Sequence, residues 1–333
     1  MDARDWLQRR QVAVYAASVA LAVGFGVGLP STAPLFERVI TPVLAVLLYV
    51  TFLEIPFTRF RRAFTNVRFM AAALGLNFLV VPVVAYGLTR FLPQEPALLL
   101  GAFLVLLTPC IDYVIAFTDL ADGDAEQVTA ATPVLLLVQF LVLPVYLWLF
   151  MGEQVADSIE AGPFVEAFLL LIALPLLLAW LTELWANRSD AGRRWQGTMG
   201  WLPVPMMGTT LLVVIASQLP RVEDSIEEIA AVVPVYVAFL VVMPLLGRFV
   251  AGMVRMNAGE ARALVFTSVT RNSLVVLPLA LALPTGYSLV PAVVVTQTLV
   301  ELAGMVVLTR VVPAWLVRTA PDSSSILGFA RDD

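Results

Sequence analysis

Long apolar runs make up most of the chain, and short clusters rich in Arg, Asp, Glu, Pro or Gly separate them. Each run is about 20 residues long, which is the length an α-helix needs to cross the hydrocarbon core of a bilayer. We therefore predict an all-α membrane protein with about ten transmembrane helices, numbered here as segments 1 to 10. The segments are 11–29, 39–57, 69–92, 97–121, 126–151, 163–186, 198–218, 229–252, 260–283 and 286–312.

The composition fits a chain that lies mostly in lipid. Of its 333 residues 60% are hydrophobic and 14% are charged, and the mean hydropathy is +0.90. Soluble domains are about half apolar and a quarter charged. No histidine, Gly-rich phosphate loop, zinc spacing or Ser-His-Asp set occurs, and the single cysteine, Cys110, has no partner for a disulfide within the chain. We therefore expect no enzyme, no cofactor or metal site and no nucleic-acid partner.

The positive charges, all arginines, are distributed unevenly between the segment ends. Nearly all of them precede segment 1, lie in the second, sixth and eighth connections, or follow segment 10, whereas Arg38, Arg90 and Arg221 lie at the opposite ends. The arginine-rich ends share one side of the membrane only if an even number of crossings separates them. The positive-inside rule thus favours ten crossings and predicts that both termini are cytoplasmic, with the protein in the plasma (inner) membrane.

Ten helices can be two copies of five, and a tandem copy of an odd number of helices is inverted in the membrane. The run Phe-Leu-Val-Val-Pro at 78–82 in segment 3 is similar to Phe-Leu-Val-Val-Met-Pro at 239–244 in segment 8. We predict a first repeat over 1–157 and an inverted second repeat over 158–318. The polar, Ser-rich residues 319–333 are predicted to be a disordered cytoplasmic tail.

Two segments of matching rank in these halves, 4 and 9, contain polar and helix-breaking residues. The interruptions are Thr108-Pro109-Cys110-Ile111-Asp112 and Thr270-Arg271-Asn272-Ser273. Paired broken helices near the bilayer midplane expose backbone groups and half-helix ends that can bind a solute. We predict that the breaks cross. The predicted binding residues are Cys110, Asp112, Arg271, Asn272 and Ser273, and the predicted supporting residues are Thr108, Pro109 and Thr270. The alternative is a proline kink in one helix and an interfacial arginine in the other.

Charged and amide side chains at bilayer depth are further candidates. A charge at the centre of a membrane helix costs about 2.5–3.5 kcal/mol, so Arg271 and Asp112 should be paired or hydrated. If they pair with each other, the crossing carries a fixed cation where a sodium-driven transporter binds a mobile one. Glu301 in segment 10, near Gln297, is a candidate proton carrier or an interhelical hydrogen-bond partner. Asn77 in segment 3 and Gln297 in segment 10 are expected to support the site.

The stretch that follows the first break carries a recognisable motif. Cys110 is followed by Leu-Ala-Asp-Gly-Asp at 120–124, and the similarity extends to Gln139, 144–150, Asn77, Asn272 and 299–301. In these residues the chain resembles the arsenite permease family of the bile acid:sodium symporter superfamily. The resemblance implies two inverted five-helix repeats, a core domain beside a panel domain, and broken helices 4 and 9 crossing in the core.

The same resemblance implies export of arsenite or antimonite in exchange for protons, with Cys110 at the position of a cysteine important for transport. Arsenite permeases have paired Asn and then a Glu after the segment-9 break, whereas this chain has Arg271-Asn272-Ser273-Leu274. Asp112 or Glu301 would then have to carry the proton. Val114, Ile115 and Val128 lie where polar sodium ligands would be expected, so protons are favoured over sodium.

Three hypotheses follow from the sequence. The first is a secondary transporter that exports arsenite or antimonite by alternating access, with protons as the coupling ion. The second keeps the fold but moves a small organic anion, coupled to sodium or protons, whose carboxylate Arg271 receives. The third is a non-transporting membrane receptor or scaffold, against which the charged residues at bilayer depth argue.

Overall fold

The computed structural model describes residues 10–54, 66–111, 113–152, 166, 168–223 and 226–318, and this part of the chain is helical apart from its connections and one isolated backbone bridge. The α-helices, numbered in chain order, are α1 Gln11–Gly28, α2 Ala33–Phe52, α3 Val67–Gly75, α4 Val81–Thr89, α5 Pro96–Leu106, α6 Tyr113–Leu120, α7 Ala125–Met151, α8 Leu174–Ala186, α9 Asp190–Met199, α10 Pro203–Glu223, α11 Ile226–Met253, α12 Ala258–Val269, α13 Ser273–Leu281 and α14 Val290–Val311. Short 3₁₀ turns lie at Pro30–Thr32 and Thr285–Tyr287, and π turns lie at Leu76–Val80, Leu169–Ala173 and Val312–Leu316.

Seven continuous helical stretches among the described residues are long and apolar enough to cross a membrane. They are Pro30–Phe52, Val67–Thr89, Ala125–Met151, Leu169–Ala186, Pro203–Pro220, Ile226–Met253 and Val290–Leu316. The chain is therefore an all-α, multi-pass membrane protein. Predicted segments 1, 4 and 9 contain only shorter helices: the apolar part of α1, the pair α5 and α6, and the pair α12 and α13. The count of ten crossings stays a prediction.

The long helix α11 shows which surface faces lipid. Large apolar side chains are exposed on it at every fourth position. They are Val237, Val241, Leu245 and Phe249. A spacing of four residues keeps them on one face of the helix, while Phe239 and Met243 are buried on the other. An exposed apolar stripe of this length is unfavourable in water and suits the acyl chains of a bilayer.

Proline explains why α3 and α4 are separated by a π turn. Pro82 has no N–H, so the carbonyl oxygen of Phe78, four residues earlier, loses its helical donor, and the turn Leu76–Val80 widens just before it. The hydroxyl of Tyr146 on α7 donates to that carbonyl oxygen instead. A second π turn, Leu169–Ala173, likewise precedes a proline at the start of α8. Pro82 is therefore accommodated inside the span, because the carbonyl that it frees at Phe78 still has a hydrogen-bond donor.

The amphipathic helix α9 was not predicted. The sequence was interpreted as a polar connection up to residue 197 and as a crossing from 198, but α9 ends at Met199 and α10 begins at Pro203. The predicted start of segment 7 was therefore wrong. The side chain of Ser189 caps α9 by accepting from the backbone N–H of Gly192 at 3.1 Å.

The helices pack as two groups. Helix α10 packs mainly on α1 and α2, and α8 also packs on α2. The second group contains α3 to α7 and α11 to α14, with α14 packed against α5, α11 and α13. The groups meet where α10 packs on α14 and where Leu48 and Phe52 of α2 share an apolar cluster with Leu136, Val275 and Leu279. The two interrupted helices belong to the second group.

Candidate functional site

The two interruptions meet in the structure. Helix α5 ends at Leu106 and α12 ends at Val269, and a short non-helical segment follows each. The backbone N–H of Cys110 donates to the carbonyl of Thr270 at 3.1 Å, and the N–H of Asn272 donates to the carbonyl of Thr108 at 2.8 Å. Pro109 and Arg271 form an isolated antiparallel bridge between them. We call residues 108–110 and 270–272 the crossing.

The crossing is locally two-fold in its bonding. The hydroxyl of Thr108 donates to the carbonyl of Leu104 at 3.0 Å, and the hydroxyl of Thr270 donates to the carbonyl of Phe266 at 2.8 Å, so each threonine closes the last turn of its own helix. Pro109 and Arg271 lie opposite each other, and the two hydrogen bonds are made by the residues on either side of them. Proline has no N–H, but this position does not use one, so Pro109 costs no hydrogen bond across the crossing.

The guanidinium of Arg271 is completely buried, with 0% exposure, beside the crossing. Its terminal nitrogens donate to four oxygen atoms from three parts of the chain. These are the carbonyl of Leu106 (3.3 Å), Oδ1 of Asn77 (2.9 Å), the carbonyl of Thr267 (3.0 Å) and the carbonyl of Ser268 (2.7 Å). The ring of Phe239 lies under the guanidinium, 5.4 Å from its central carbon. No carboxylate among the described residues forms an ion pair with the guanidinium.

The carboxylate of Glu301 on α14 binds the backbone of the second break. It accepts from the hydroxyl of Tyr113 at 2.6 Å, from the backbone N–H of Arg271 at 2.9 Å and from Nε2 of Gln297. The other end of the same amide, Oε1 of Gln297, accepts from the hydroxyl of Ser273 at 2.6 Å. Three converging donors suit an ionised carboxylate, which only accepts hydrogen bonds.

A small cavity lies between α10, α13 and α14, where the two helix groups meet. Its lining is mostly apolar, from Leu, Val and Ile residues, and also includes the hydroxyl-bearing residues Thr210, Ser273 and Thr298. Thr210 donates to the carbonyl of Met206 at 2.9 Å, and Thr298 donates to that of Val294 at 3.3 Å. None of the described residues that line the cavity is charged. Because these hydroxyl protons are used within the protein, lone pairs remain to accept from a solute.

The structure brings most of the predicted site residues together, though not in equal roles. Those around the crossing are Asn77, Thr108, Pro109, Cys110, Thr270, Arg271, Asn272, Ser273, Gln297 and Glu301. Of these, Ser273 lines the cavity. Both polar atoms of the buried Asn272 side chain lack a partner among the described residues. Asp112 lies outside the described residues, so its predicted pairing with Arg271 stays a prediction.

Four residues of this site were missed from the sequence. Tyr113 directly follows the first break, and Phe239 opens the run used to compare the repeats, so both lay beside residues already singled out. Thr210 belongs to the pair Thr209-Thr210 and Thr298 to the run Thr296-Gln297-Thr298, and both groups interrupt apolar segments. Polar side chains at bilayer depth are uncommon and often functional, so that signal could have found both threonines.

Comparison with known proteins identifies the family. The sequence profile of the sodium bile acid symporter family matches residues 41–222, from within α2 to near the end of α10, which is more than half of the chain. The chain belongs to the sodium bile acid symporter family. The predicted resemblance to the bile acid:sodium symporter superfamily is thereby confirmed. Membership of this symporter family points to transport of a small solute and not to enzymatic catalysis.

One curated relative is the arsenical-resistance protein Acr3 of Corynebacterium glutamicum, which is 24% identical over 163 residues. The similarity covers 46% of this chain and 43% of that protein, so the chain spans less than half the length of the relative. It agrees with the arsenite permease branch of the symporter family, which the sequence motif indicated.

Proposed function

We propose that this symporter-family protein is a secondary transporter that exports arsenite and antimonite in exchange for protons. The observation that carries the proposal is the small uncharged cavity beside the crossing, whose mostly apolar lining includes three hydroxyl-bearing residues. Arsenous acid is a small neutral molecule with O–H donors, and the free lone pairs of Thr210, Ser273 and Thr298 match those donors. Similarity to an arsenical-resistance protein supports the same cargo.

The geometry disfavours an organic anion as cargo. That hypothesis requires Arg271 to receive a carboxylate, but its terminal nitrogens already donate to four protein oxygens and its guanidinium has 0% exposure. An anion in the cavity would also face hydroxyl lone pairs with no positive side chain among the described lining residues. In this proposal Arg271 holds the crossing together and does not contact the solute.

Cys110 and Asn272 complete the proposed binding site. Trivalent arsenic is a soft centre that favours thiolate sulfur, and a single thiol binds it weakly enough to allow release. Cys110 is 1% exposed and is joined through its backbone to the second break. The amide of Asn272 is buried and has no partner among the described residues, so its oxygen and nitrogen can bind a hydroxyl of the solute if the crossing opens. Asp112 keeps its predicted part in binding and coupling.

Glu301 is the proposed proton carrier among the described residues. A continuous line of hydrogen bonds runs from the cavity to its carboxylate, through Ser273 and Gln297. Oε2 of Glu301 faces Gln297 and Oε1 faces Tyr113. A proton on Oε2 would change that acceptor into a donor, so the Gln297 amide would turn and Ser273 would lose its acceptor. Proton binding to Glu301 would thus change the hydrogen bonding of the Ser273 hydroxyl in the cavity, and this would couple proton binding to solute binding.

The proposed transport cycle uses the two helix groups as panel and core. Helices α1, α2, α8 and α10 would form the panel, and the cavity at its contact with the core would open to alternate sides. The matching hydrogen bonds of Thr108 and Thr270 support two inverted repeats, over 1–157 and 158–318, with ten crossings. Cytoplasmic termini in the inner membrane complete the proposed topology.

Transport by the purified protein in liposomes tests the proposal. Vesicles loaded with arsenite or antimonite are given an imposed proton gradient, a sodium gradient, or neither, and efflux is followed. We expect efflux to follow the proton gradient and to be unaffected by sodium. Efflux of neither metalloid under any gradient, while a small organic carboxylate does cross, would overturn the assignment of cargo.

Threonine pairs on the same helices provide matched variants. We expect Thr210→Val to lower arsenite transport by about 2- to 10-fold, the loss of one hydrogen bond of about 0.5–1.5 kcal/mol. Thr209→Val, one residue earlier and exposed, should leave transport unchanged. Thr298→Val and its neighbour control Thr296→Val should behave in the same way. Equal rates within each pair would show that the cavity is not on the solute pathway.

Cys110→Ser tests the thiol separately. Serine is close to cysteine in shape but is a hard oxygen ligand, so we expect transport of both metalloids to fall while the thermal stability of the protein is retained. Wild-type rates in Cys110→Ser would remove the thiol from the proposed site without affecting the assignment of the cavity.

A further inference from the structure

The C-terminal ends of two half-helices converge on one guanidinium. Carbonyl oxygens in the last turn of an α-helix have no intrahelical donor, and the helix dipole places partial negative charge there. Helix α5 presents the carbonyl of Leu106 in this way, and α12 presents those of Thr267 and Ser268. All three accept from Arg271, at 2.7–3.3 Å. The chain therefore concentrates negative dipole ends at a buried point.

Neutral oxygens complete the surroundings of the guanidinium. Oδ1 of Asn77 accepts from it at 2.9 Å, and the amide is oriented by its own Nδ2, which donates to the carbonyl of Ala73 at 3.0 Å. The hydroxyl oxygen of Thr267, in the same turn as two of the carbonyls, is buried without a partner among the described residues. Carbonyl, amide and hydroxyl oxygens are the ligands of hard metal cations, and half-helix C-terminal ends coordinate sodium in transporters.

The cation among these oxygen atoms is a side chain of the protein, the guanidinium of Arg271. Its positive charge lies where the oxygens need a cation, and no carboxylate among the described residues pairs with it there. Glu301 binds the backbone N–H of Arg271 and not the guanidinium. The dipoles of the two helix ends, together with the nearby carboxylate of Glu301, therefore supply the attraction that a buried cation requires.

We infer that the oxygens of Leu106, Thr267, Ser268 and Asn77 form a latent monovalent-cation site that the guanidinium of Arg271 fills. A transporter with its own cation in this position keeps the two half-helices together without taking up an ion. Removing the guanidinium leaves buried acceptors with no donor, which is unfavourable, and sodium from solution can replace it. The inference concerns the core alone and does not depend on the cargo.

The test compares Arg271→Ala with the wild type in buffers of constant ionic strength, with either sodium or choline as the cation. We expect the variant to unfold at a lower temperature than the wild type in choline, and its midpoint to rise with sodium concentration to a plateau. Wild type should have equal midpoints in the two salts. Equal midpoints for the variant in sodium and choline, or a wild-type response as large as that of the variant, would overturn the inference.

Three further variants separate the site from a general effect. Arg271→Lys keeps a cation in place and should show no sodium response. Adding Asn77→Ala to Arg271→Ala removes one oxygen ligand and should raise the half-saturating sodium concentration about tenfold, the effect of about 1.4 kcal/mol. Arg262→Ala is the matched control for losing a buried arginine. Arg262 also donates to backbone carbonyls, of Val317, Ala121 and Asp122, but from the N-terminal half of α12.

The control is informative because the carbonyls around Arg262 lie beside the exposed carboxylate of Asp122, 3.9 Å from Nη1, where water can solvate them once the arginine is removed. We expect Arg262→Ala to be destabilised and to respond equally to sodium and choline. A sodium response in Arg262→Ala equal to that of Arg271→Ala would show a general salt effect and refute the site. If Arg271→Ala folds only in sodium, exchange into choline should unfold it, and stability after exchange would contradict the inference. If sodium stabilises Arg271→Ala but the wild-type protein does not transport arsenite, the proposed cargo is refuted and the cation site stands.

Discussion

Replacing Glu301 with alanine should destabilise the protein far more than replacing it with glutamine. The carboxylate accepts from the hydroxyl of Tyr113, the backbone N–H of Arg271 and Nε2 of Gln297. A glutamine can keep its oxygen toward the last two donors and turn its amide NH₂ toward Tyr113. The tyrosine hydroxyl then accepts from that amide and donates to the carbonyl of Arg271, 3.1 Å away. Glutamine thus satisfies Tyr113, the N–H of Arg271 and Nε2 of Gln297, and only the second hydrogen of its own NH₂ has no acceptor among these groups.

The magnitude follows from counting the donors that remain. Both variants lose the negative charge, so its contribution cancels in the comparison. With alanine, Tyr113 can still donate to the carbonyl of Arg271, but the N–H of Arg271 and Nε2 of Gln297 have no acceptor left. Alanine leaves two buried donors unsatisfied and glutamine leaves one, at about 1–3 kcal/mol each, so alanine should be less stable than glutamine by about 1–3 kcal/mol from hydrogen bonding. The space left by the shorter side chain adds to that cost.

Thermal unfolding of the detergent-solubilised proteins measures the order. We expect the midpoint to fall from wild type to Glu301→Gln and much further to Glu301→Ala. Tyr113→Phe should cost more in the Glu301→Gln background than in the wild type, because the amide NH₂ then has no acceptor. Equal midpoints for the alanine and glutamine variants, or additive effects with Tyr113→Phe, would refute the hydrogen-bond network. Because glutamine cannot be protonated, Glu301→Gln should also lose its transport response to a proton gradient.

Two packing contacts give independent predictions. Gly101→Ala would place a Cβ 2.7 Å from Cγ1 of Val293, so it should lower stability by about 1–3 kcal/mol, and the matched Gly87→Ala, with nothing within 4 Å, should not. Equal thermal midpoints for Gly101→Ala and Gly87→Ala would show that α5 and α14 are not in close contact at Gly101. Tyr146→Phe leaves the carbonyl of Phe78 without its donor and should cost about 1–3 kcal/mol. A wild-type midpoint in that variant would mean that the π turn satisfies the carbonyl by another route.

Helix positions could be predicted where an apolar run has nearly the length of the bilayer core. Predicted segment 5, 126–151, coincides with α7, Ala125–Met151, because charged residues before it and a glycine after it bound the run. Helix α9 was missed because polar residues were taken to be a loop. The sequence does contain a signal for the start of this helix: Ser189 is a favourable N-cap residue, and Asp190 places an acidic side chain in the first turn.

The candidate site was predictable in position but not in its bonding. Breaks at matching ranks pointed to residues 108–112 and 270–273, and the structure joins them through backbone hydrogen bonds. The partner of Arg271 was sought among charged side chains, with Asp112 the expected one. The described partners are instead mostly carbonyl oxygens at helix ends. Every residue has a carbonyl, so a site made of them leaves no pattern in the sequence.

The single thiol of the chain lies in the crossing, and this makes the protein its own reporter. Cys110 is 1% exposed, and no other cysteine in the sequence competes for a thiol reagent. The rate at which a small maleimide alkylates the unaltered protein therefore measures how often water reaches the meeting point of the two half-helices. Comparing reagents that cross membranes with reagents that do not would show from which side the water arrives, without engineered labels or a cysteine-free background.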